Sequence, residues 1–538
     1  SCDLAEEPAF KWWVPYTLKK VSAISKAVIS RLRASKTKFG IKVPSSLDEA
    51  KAFDKENKNT FWVDAWKKEM STVKVAFKII DGPHQIPQGY TEAKGFCIFD
   101  LKMDFTRKAR WVKSGHLTAS TGESSYAGVV SRESVRLALI YGALNELDVT
   151  CGDIKQAYLS APTSETHWIK LNSDFGEDEG KYALIVRALY GGKHAGRDYW
   201  LYLRECMTKL GFTSCDADPD VWMRPSTNKN GMEVYEYVLL YTDDCLVISN
   251  KGMEIIRDEI GKSFTFKEES ICHPHGTNYL GGKIYQREVE GAKCWSFNPN
   301  QYVIQAWKNV EEQLLKRVAR GDDRFNANIT RADSDKPSLL KPTANALPGD
   351  YHPELDMSDE LKPMDAAYYQ SLIGVLRWIV ELGRVDLALE CSVMSSCLAL
   401  PREDHLRKVL QIFGYLKAHS NTELVFDPHL PEWYGTRKEQ FPLQDWKGTP
   451  YFTGENSLKE EKPENAPEPR GFGMVMSAFC DSDHAGCKVT RRSRTGFLVY
   501  LQSGLVYWHS KKQAGVETSL FGSEFIAMKQ CTEYVRGL

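Results

Sequence analysis

Two adjacent carboxylates, Asp243 and Asp244, stand between two apolar runs of the chain. The runs, residues 234–241 and 245–249, predict two strands that flank the tetrapeptide YTDD. Neighbouring carboxylates at a hairpin tip repel one another unless a cation lies beside them. Phosphoryl-transfer sites hold the attacking and leaving oxygens with two divalent ions about 3.5–4 Å apart. A polar turn would show the same four residues, but apolar strands on both sides favour a metal site.

A third carboxylate, Asp153, follows the segment DVTCG at residues 148–152. Residues 146–150 predict a strand that leads to it. A strand that brought Asp153 beside Asp243 and Asp244 would complete a three-carboxylate cage for two metal ions.

The segments around these carboxylates resemble two motifs of retroelement reverse transcriptases. Residues 148–162 are similar to the first catalytic motif, and YTDD is similar to the second acidic motif. The resemblance implies that the catalytic residues, and the ligands of Mg²⁺ or alternatively Mn²⁺, are Asp153, Asp243 and Asp244. It also implies that the ring of Tyr158 is the steric gate that excludes a ribonucleotide 2′-hydroxyl.

Five further segments narrow the resemblance to the copia-type retrotransposon Pol polyprotein. They are TRKARWV at 106–112, VRALYGGK at 186–193, YLGGKI at 279–284, and the helical stretches at 368–378 and 401–417. The first is similar to a basic fingers motif, in which Lys108 or Arg110 would meet the incoming triphosphate. The second resembles a motif near the nucleotide pocket, where Tyr241 is also expected to contact the nucleotide. The third resembles the segment that grips the primer.

The sequence departs from the family pattern at three places. Thr242 stands where the family more often has Val, and Gly192 replaces a Leu. His194, Ala195 and Gly196 replace a common Gln-Ala-Pro. The changes at 192–196 touch the nucleotide-side helix, so we expect them to affect efficiency and not the fold.

The last segment resembles the ribonuclease H of the same polyprotein. Residues 479–486 are similar to its first strand, with Asp481 as a catalytic residue, and Glu524 opens its first helix. The family continues to a further strand with a third Asp, and this chain stops before it at Leu538. We therefore expect no ribonuclease H activity, and we expect Ser1 and Leu538 to be edges of a larger polyprotein.

The predicted elements indicate an α+β fold, because strands and helices do not alternate as in a doubly wound sheet. The resemblance implies a right-hand polymerase with fingers, palm and thumb, then a helical connection and an incomplete RNase H-like domain. The expected boundaries are a basic N-terminal lead at 1–58, fingers and palm at 59–290, thumb and connection at 291–453 with a polar insert at 317–363, a linker at 454–470 and the RNase H-like domain at 471–538. The polar insert is typical of a linker or mobile loop.

Composition places few limits on function. The chain has 538 residues, with 42% hydrophobic and 26% charged residues, which is ordinary globular composition. No apolar run is long enough to span a membrane, and no signal peptide is visible. Lys and Arg number 70 against 71 Asp and Glu. Because the basic residues gather at 11–42, 107–113 and 488–494, this near-neutral balance is weak evidence against nucleic acid.

Two features of the sequence have more than one interpretation. The basic segment 10–47 could lie on phosphates or form a solvated amphipathic helix. Cys272, His273 and His275 resemble half of a metal site, but no second ligand pair has zinc-like spacing, so a plain loop is favoured. The 13 cysteines include no CxxC pair and predict reduced thiols.

These observations favour an active RNA-directed DNA polymerase. Its partners would be an RNA template, a DNA or RNA primer and deoxynucleoside triphosphates, with no membrane; nothing predicts the oligomeric state. One alternative is a catalytically decayed retroelement remnant that binds nucleic acid without polymerising. Another is a structural or interaction protein that reuses the fold. The resemblance implies an intracellular location in cytoplasmic particles.

Overall fold

The computed structural model describes most of the chain from residue 37 to residue 538. The described residues are 37–39, 41–115, 124–268, 271, 277–322, 324, 330–331, 337–432 and 466–538. The possible half metal site at 272–275, most of the basic lead and residues 454–465 of the predicted linker lie outside them.

Strands and helices are numbered in chain order. The strands are β1 Thr37–Lys38, β2 Ile41–Lys42, β3 Phe77–Ile80, β4 Thr91–Glu92, β5 Gly95–Leu101, β6 Arg107–Lys113, β7 Val149–Asp153, β8 His167–Lys170, β9 Tyr182–Ile185, β10 Thr213–Ser214, β11 Val221–Thr227, β12 Glu233–Tyr241, β13 Asp244–Ile248, β14 Thr277–Tyr279, β15 Gly282–Val289, β16 Ala292–Asn298, β17 Thr330–Arg331, β18 Pro337–Ser338, β19 Leu424–Phe426, β20 Met476–Asp483, β21 Arg494–Leu501 and β22 Gly504–Lys512. The helices are α1 Leu47–Glu56, α2 Phe61–Val73, α3 Arg132–Leu144, α4 Ala157–Ser160, α5 Ala195–Lys209, α6 Gly252–Glu254, α7 Asn300–Val318, α8 Pro363–Glu381, α9 Ala388–Ser395, α10 Glu403–Ala418 and α11 Leu520–Gly537.

A five-stranded sheet in the order β10-β11-β12-β13-β7 carries the acidic residues. All of its neighbouring strands are antiparallel. Strand β13 is buried on both faces, because α3 packs on one side and α5 on the other. The predicted strand at 146–150 starts too early: Glu146 has a φ of 57° and Leu147 still bonds to the last turn of α3, so β7 begins only at Val149.

A second layer is built mostly from residues before this sheet, with β8 and β9 inserted in sequence between β7 and β10. It combines the β3-β9-β8-β4 sheet, the β5–β6 hairpin and helices α1 and α2 around a core that contains the fully buried Trp111. Asp54 of α1 accepts hydrogen bonds from the first backbone N–H groups of α2, at Trp62 and Val63. The expected boundary at residue 58 therefore divides two helices that pack as a pair.

A helical assembly of α7, α8, α9 and α10 follows, beside the β14-β15-β16-β19 sheet. Its core includes Leu339 and Leu340, which are 3% and 1% exposed. These leucines belong to the polar stretch 317–363, so the expectation of a linker or mobile loop is wrong for this part. The polar composition hid the few apolar residues that anchor it.

The C-terminal sheet, β20-β21-β22 with α11, packs against helix α3 and against strand β19. Val499, Leu501 and Val506 share one core with Leu139 of α3. The last residues of the predicted linker are also anchored, since Tyr141 donates a 3.1 Å hydrogen bond to the carbonyl oxygen of Arg470. The mixture of helices and antiparallel sheets agrees with the predicted α+β class.

Each helix among the described residues is too short or too polar to cross a membrane. The described cysteines are free thiols.

Candidate active site

Strand register brings the three predicted carboxylates to one end of the five-stranded sheet. Asp153, the last residue of β7, is the direct antiparallel partner of Asp244, the first residue of β13. The backbone N–H of Ile154 donates a 2.7 Å hydrogen bond to the carbonyl oxygen of Asp243. The order of β12, β13 and β7 therefore places Asp153 beside Asp243 and Asp244, as a three-carboxylate site requires.

The tip of the β12–β13 hairpin is a tight turn. Tyr241 pairs with Asp244, so Thr242 and Asp243 form a two-residue connection. Thr242 has a φ of 54°, a left-handed conformation that is unfavourable for a β-branched residue. The surrounding structure must hold this turn, and such strain is concentrated at functional sites.

Burial and like charge alter the acidity of Asp244. Its pKa is raised to about 7, with burial as the largest cause and the charges of Asp243 and Asp153 as further causes. The charge of Lys267 and a hydrogen bond from the backbone N–H of Leu280 act in the opposite direction. Leu280 lies in the turn between β14 and β15, which places the segment YLGGKI beside the carboxylates.

Lys267 is a site residue that the sequence did not predict. Its Nζ atom lies 2.6 Å from Oδ1 and 2.5 Å from Oδ2 of Asp153. A backbone hydrogen bond of 2.9 Å from Lys267 N to the carbonyl oxygen of Asp153 fixes the two residues side by side. The separation of 114 residues in the sequence explains why no local pattern showed this contact.

The chemistry of the donor set fits a hard divalent cation. Three clustered carboxylates supply oxygen ligands, and a cation would offset both the burial and the like charges that raise the pKa of Asp244. Their side chains are not preformed as a cage, because no group of three or more His, Cys, Asp or Glu in the described part of the chain could hold a metal ion as it stands.

The basic residues predicted to meet the nucleotide lie on β6. Burial lowers the pKa of Lys108, with Arg110 and Lys102 acting in the same direction, whereas Asp243 raises it. Lys108 is therefore within electrostatic range of the acidic turn. The Arg110 guanidinium lies 4.6 Å from the ring centroid of Tyr190, and its Nε atom is buried without a described hydrogen-bond partner.

A row of aromatic rings continues from Arg110 towards the acidic turn. The ring of Tyr190 lies 4.9 Å from that of Tyr158, which in turn lies 5.7 Å from the ring of Tyr199. Tyr158 projects from the short helix α4, directly after β7 and Asp153. Beside Arg110 and Tyr190, an open cleft of about 490 Å³ is also lined by Phe96, Ile98 and Lys113. The structure thus brings Lys108, Arg110 and Tyr158 to the same side of the acidic turn.

The two residues expected from the RNase H resemblance, Asp481 and Glu524, lie on separate elements of the C-terminal part of the chain. Asp481 is in β20, opposite Gly496 of β21, and Glu524 is in the first turn and a half of α11. Burial is the largest cause that raises the pKa of Asp483, and the charge of Asp481 raises it as well. These carboxylates do not join into a metal-holding group within the described residues.

Comparison with known proteins gives the family. Residues 85–310 match a family model described as "Reverse transcriptase (RNA-dependent DNA polymerase)". An "Uncharacterized mitochondrial protein" of Arabidopsis thaliana is 45% identical over 294 residues, which are 54% of this chain and 90% of that protein. The "Retrovirus-related Pol polyprotein from transposon TNT 1-94" of Nicotiana tabacum is 24% identical over 506 residues, 90% of this chain. The chain belongs to the copia-type reverse transcriptases of retrotransposon Pol polyproteins.

This copia-type reverse transcriptase chain covers only part of its longer relatives. It spans 31% of the tobacco polyprotein and 22% of the "Retrovirus-related Pol polyprotein from transposon RE1" of Arabidopsis thaliana, to which it is 22% identical over 405 residues, 74% of this chain. Among solved structures, "Structure of the foamy viral protease-reverse transcriptase dRH in complex with ds DNA" matches 89% of this chain and 61% of that chain, with 9% identity and a TM-score of 0.41.

Proposed function

We propose that this chain is an RNA-directed DNA polymerase that extends a DNA or RNA primer on an RNA template. The observation that carries the proposal is the strand register that sets Asp153 opposite Asp244 and beside Asp243. Membership of the reverse transcriptase family supports the same chemistry. Deoxynucleoside triphosphates would be the substrates.

We assign the right-hand parts of a polymerase to the observed layers. The five-stranded sheet with α3 and α5 would be the palm, and the layer of α1, α2, β3 to β6, β8 and β9 would be the fingers. The β14–β16 strands with α7 to α10 would form the thumb and connection, and β20 to α11 the RNase H-like part. Because α1 packs against α2, we assign both helices to the fingers, which would then begin at or before Leu47.

Asp153, Asp243 and Asp244 would hold Mg²⁺ or Mn²⁺. When bound, such ions lower the pKa of the attacking hydroxyl and neutralise charge on the leaving oxygens. The β7–β13 pairing and the tight turn fix the backbone positions of the three carboxylates relative to one another. The pKa of about 7 for Asp244 means that the charge of the triad depends on what cation lies beside it.

The residues on the nucleotide side would bind and select the substrate. Lys108 and Arg110 would contact the triphosphate, because both are cations on the strand that faces Asp243. Tyr158 would exclude a 2′-hydroxyl with its ring, which Tyr190 and Tyr199 hold on two sides. Tyr241, paired with Asp244, would lie beside the nucleotide at the end of β12.

Primer extension tests this function directly. We expect the wild-type chain to extend a DNA primer on an RNA template, and Asp153→Asn and Asp243→Asn to reduce extension about a hundredfold or more, because several kcal/mol of metal-dependent stabilisation would be lost. Asp258→Asn is the matched control, since this carboxylate is exposed and lies outside the acidic cluster. Equal incorporation by wild type and the two site variants would contradict the proposal. Salt-dependent primer–template binding without extension would support the decayed remnant instead.

A further inference from the structure

The carboxylate of Asp153 is already engaged by a cation of the chain itself. Both of its oxygens accept hydrogen bonds from the Lys267 ammonium, at 2.6 Å and 2.5 Å. The two side chains are 26% and 37% exposed, so solvent screens the pair only in part. Charge-assisted bonds of this length are stronger than neutral ones.

The backbone around Lys267 is fixed independently of this ion pair. Phe266 forms a β-bridge with Ile154, and Lys155 N donates a 2.7 Å hydrogen bond to the carbonyl oxygen of Thr265. The rings of Phe264 and Phe266 are buried in the core under the five-stranded sheet. The fold therefore fixes the backbone of Lys267 beside the end of β7, within reach of Asp153.

The oxygens that Lys267 occupies are those a divalent ion would need. Asp153 is the one member of the triad on β7, and Asp243 and Asp244 belong to the neighbouring hairpin. An ion that bridges the strands must therefore take at least one oxygen from Asp153. Each of the two Asp153 oxygens now accepts a hydrogen bond from Lys267. This engagement agrees with the finding that the described side chains form no ready metal cage.

We propose that Lys267 is a displaceable counter-ion of Asp153, which a divalent cation must displace from at least one carboxylate oxygen. Lys267 then sets how much metal the site requires, and it keeps three like charges together while the site holds no ion. This inference rests on the proposed polymerase site, and it adds a positioning residue that acts through Asp153.

Direct metal binding tests the proposal without reliance on catalysis. We expect Lys267→Met to lower the dissociation constant for Mn²⁺ about three- to tenfold, as measured by the loss of free-ion signal in electron paramagnetic resonance titrations. The size follows from a charge-assisted bond reduced by partial exposure. Lys267→Arg keeps a cation on Asp153 and should bind Mn²⁺ no more tightly than wild type. The control Lys262→Met removes an exposed ammonium five residues away and should leave the affinity unchanged.

A double-mutant cycle separates this inference from general charge effects and from the proposed function. In an Asp153→Asn background, Lys267→Met should change Mn²⁺ affinity by less than twofold, because the shared partner is gone. Unchanged or weaker binding by Lys267→Met alone, or an equal gain in both backgrounds, would overturn the role of Lys267. If Asp153→Asn and Asp243→Asn leave Mn²⁺ affinity unchanged, or if the wild-type chain binds no Mn²⁺, both the polymerase site and this inference are overturned.

Discussion

The hydroxyl of Tyr199 donates a 2.8 Å hydrogen bond to the carbonyl oxygen of Thr242. Tyr199 is 3% exposed on α5, and Thr242 is the left-handed residue of the acidic turn. The bond therefore ties a helix to the backbone that carries Asp243 and Asp244. It also joins the acidic turn to the aromatic row, because the Tyr199 ring contacts that of Tyr158.

Tyr199→Phe should lower the turnover of primer extension about tenfold. The variant keeps the ring but leaves the carbonyl oxygen of Thr242 without this donor, and an unpaired buried group costs about 1–3 kcal/mol. The turn would then relax from its strained conformation, so we expect kcat to fall while KM for the nucleotide changes little. Single-nucleotide incorporation at several nucleotide concentrations measures both quantities.

Tyr202→Phe is the matched control for this prediction. It removes a hydroxyl from the same helix, where the ring of Tyr202 packs 5.3 Å from that of Phe264. Equal losses in the two variants would show that the hydroxyl of Tyr199 has no special relation to Thr242.

Gly192→Leu, which restores the residue common in the family, should destabilise this chain. A Cβ atom at this position would lie 2.7 Å from Oε2 of Glu165 and 3.2 Å from Cε of Lys113. These two side chains form a buried ion pair at 2.5 Å, with exposed fractions of 1% and 6%. Disruption of a buried pair costs about 3–5 kcal/mol, so we expect a loss of this order in the free energy of unfolding, measured in urea.

Gly196→Ala provides the contrast on the same segment. Its Cβ atom would meet Ala127 at 3.5 Å and the Tyr158 hydroxyl at 3.6 Å, which are ordinary contacts. Gly196 lies in the first turn of α5, where Ala is favoured over Gly by about 0.5–1 kcal/mol. Stability that rises in Gly196→Ala and falls in Gly192→Leu would show that the departure at 192 is compensated by Lys113 and Glu165. A stable Gly192→Leu chain would contradict this.

His167 should make the stability of the protein sensitive to acid. Burial is the main cause that lowers its pKa, and the Lys113 ammonium, 3.3 Å from Nδ1, lowers it further. Below a pH of about 6.5 the unfolded chain binds a proton at this residue that the folded chain does not bind. The free energy of unfolding therefore falls as the pH drops from 7 to 5, by at most about 1.4 kcal/mol per pH unit from this residue.

Urea unfolding of His167→Asn at pH 5, 6, 7 and 8 measures this contribution. The difference in stability between wild type and the variant should shrink towards low pH, because the variant lacks the titrating group. Burial also lowers the pKa of His405 and His509, so both proteins should retain some acid sensitivity. His84→Asn, at an exposed position, should keep the wild-type profile. Parallel profiles for wild type and His167→Asn would refute the prediction.

The sequence predicted the parts of the site that local patterns encode. The apolar runs around YTDD became β12 and β13 almost to the residue, because period and turn chemistry are local properties. Lys267 and Tyr199 could not be found this way, since their partners lie 114 and 43 residues away. The burial of Leu339 and Leu340 was hidden for a similar reason: their polar neighbours dominate the composition, and only tertiary packing shows which residues are covered.

Arg136 should be essential for docking of the C-terminal sheet. Its guanidinium donates hydrogen bonds of 3.0 Å to the carbonyl oxygen of Val506 and 2.7 Å to that of Glu381, and lies 4.0 Å from the ring centroid of Trp508. Burial lowers its pKa to about 10, so the group stays charged at neutral pH. One side chain thus joins α3, α8 and β22.

Arg136→Met should lower the free energy of unfolding by about 3–5 kcal/mol, since two buried carbonyl oxygens lose their charged donor. Arg136→Lys should recover only a small part, because an ammonium cannot reproduce the planar, stacked fork. Urea titrations followed by tryptophan fluorescence give the values, and Arg377→Met, at an exposed position of α8, is the control. A loss below 1 kcal/mol in Arg136→Met would mean that the apolar core shared by Leu139, Val499 and Val506 suffices to hold the C-terminal sheet in place.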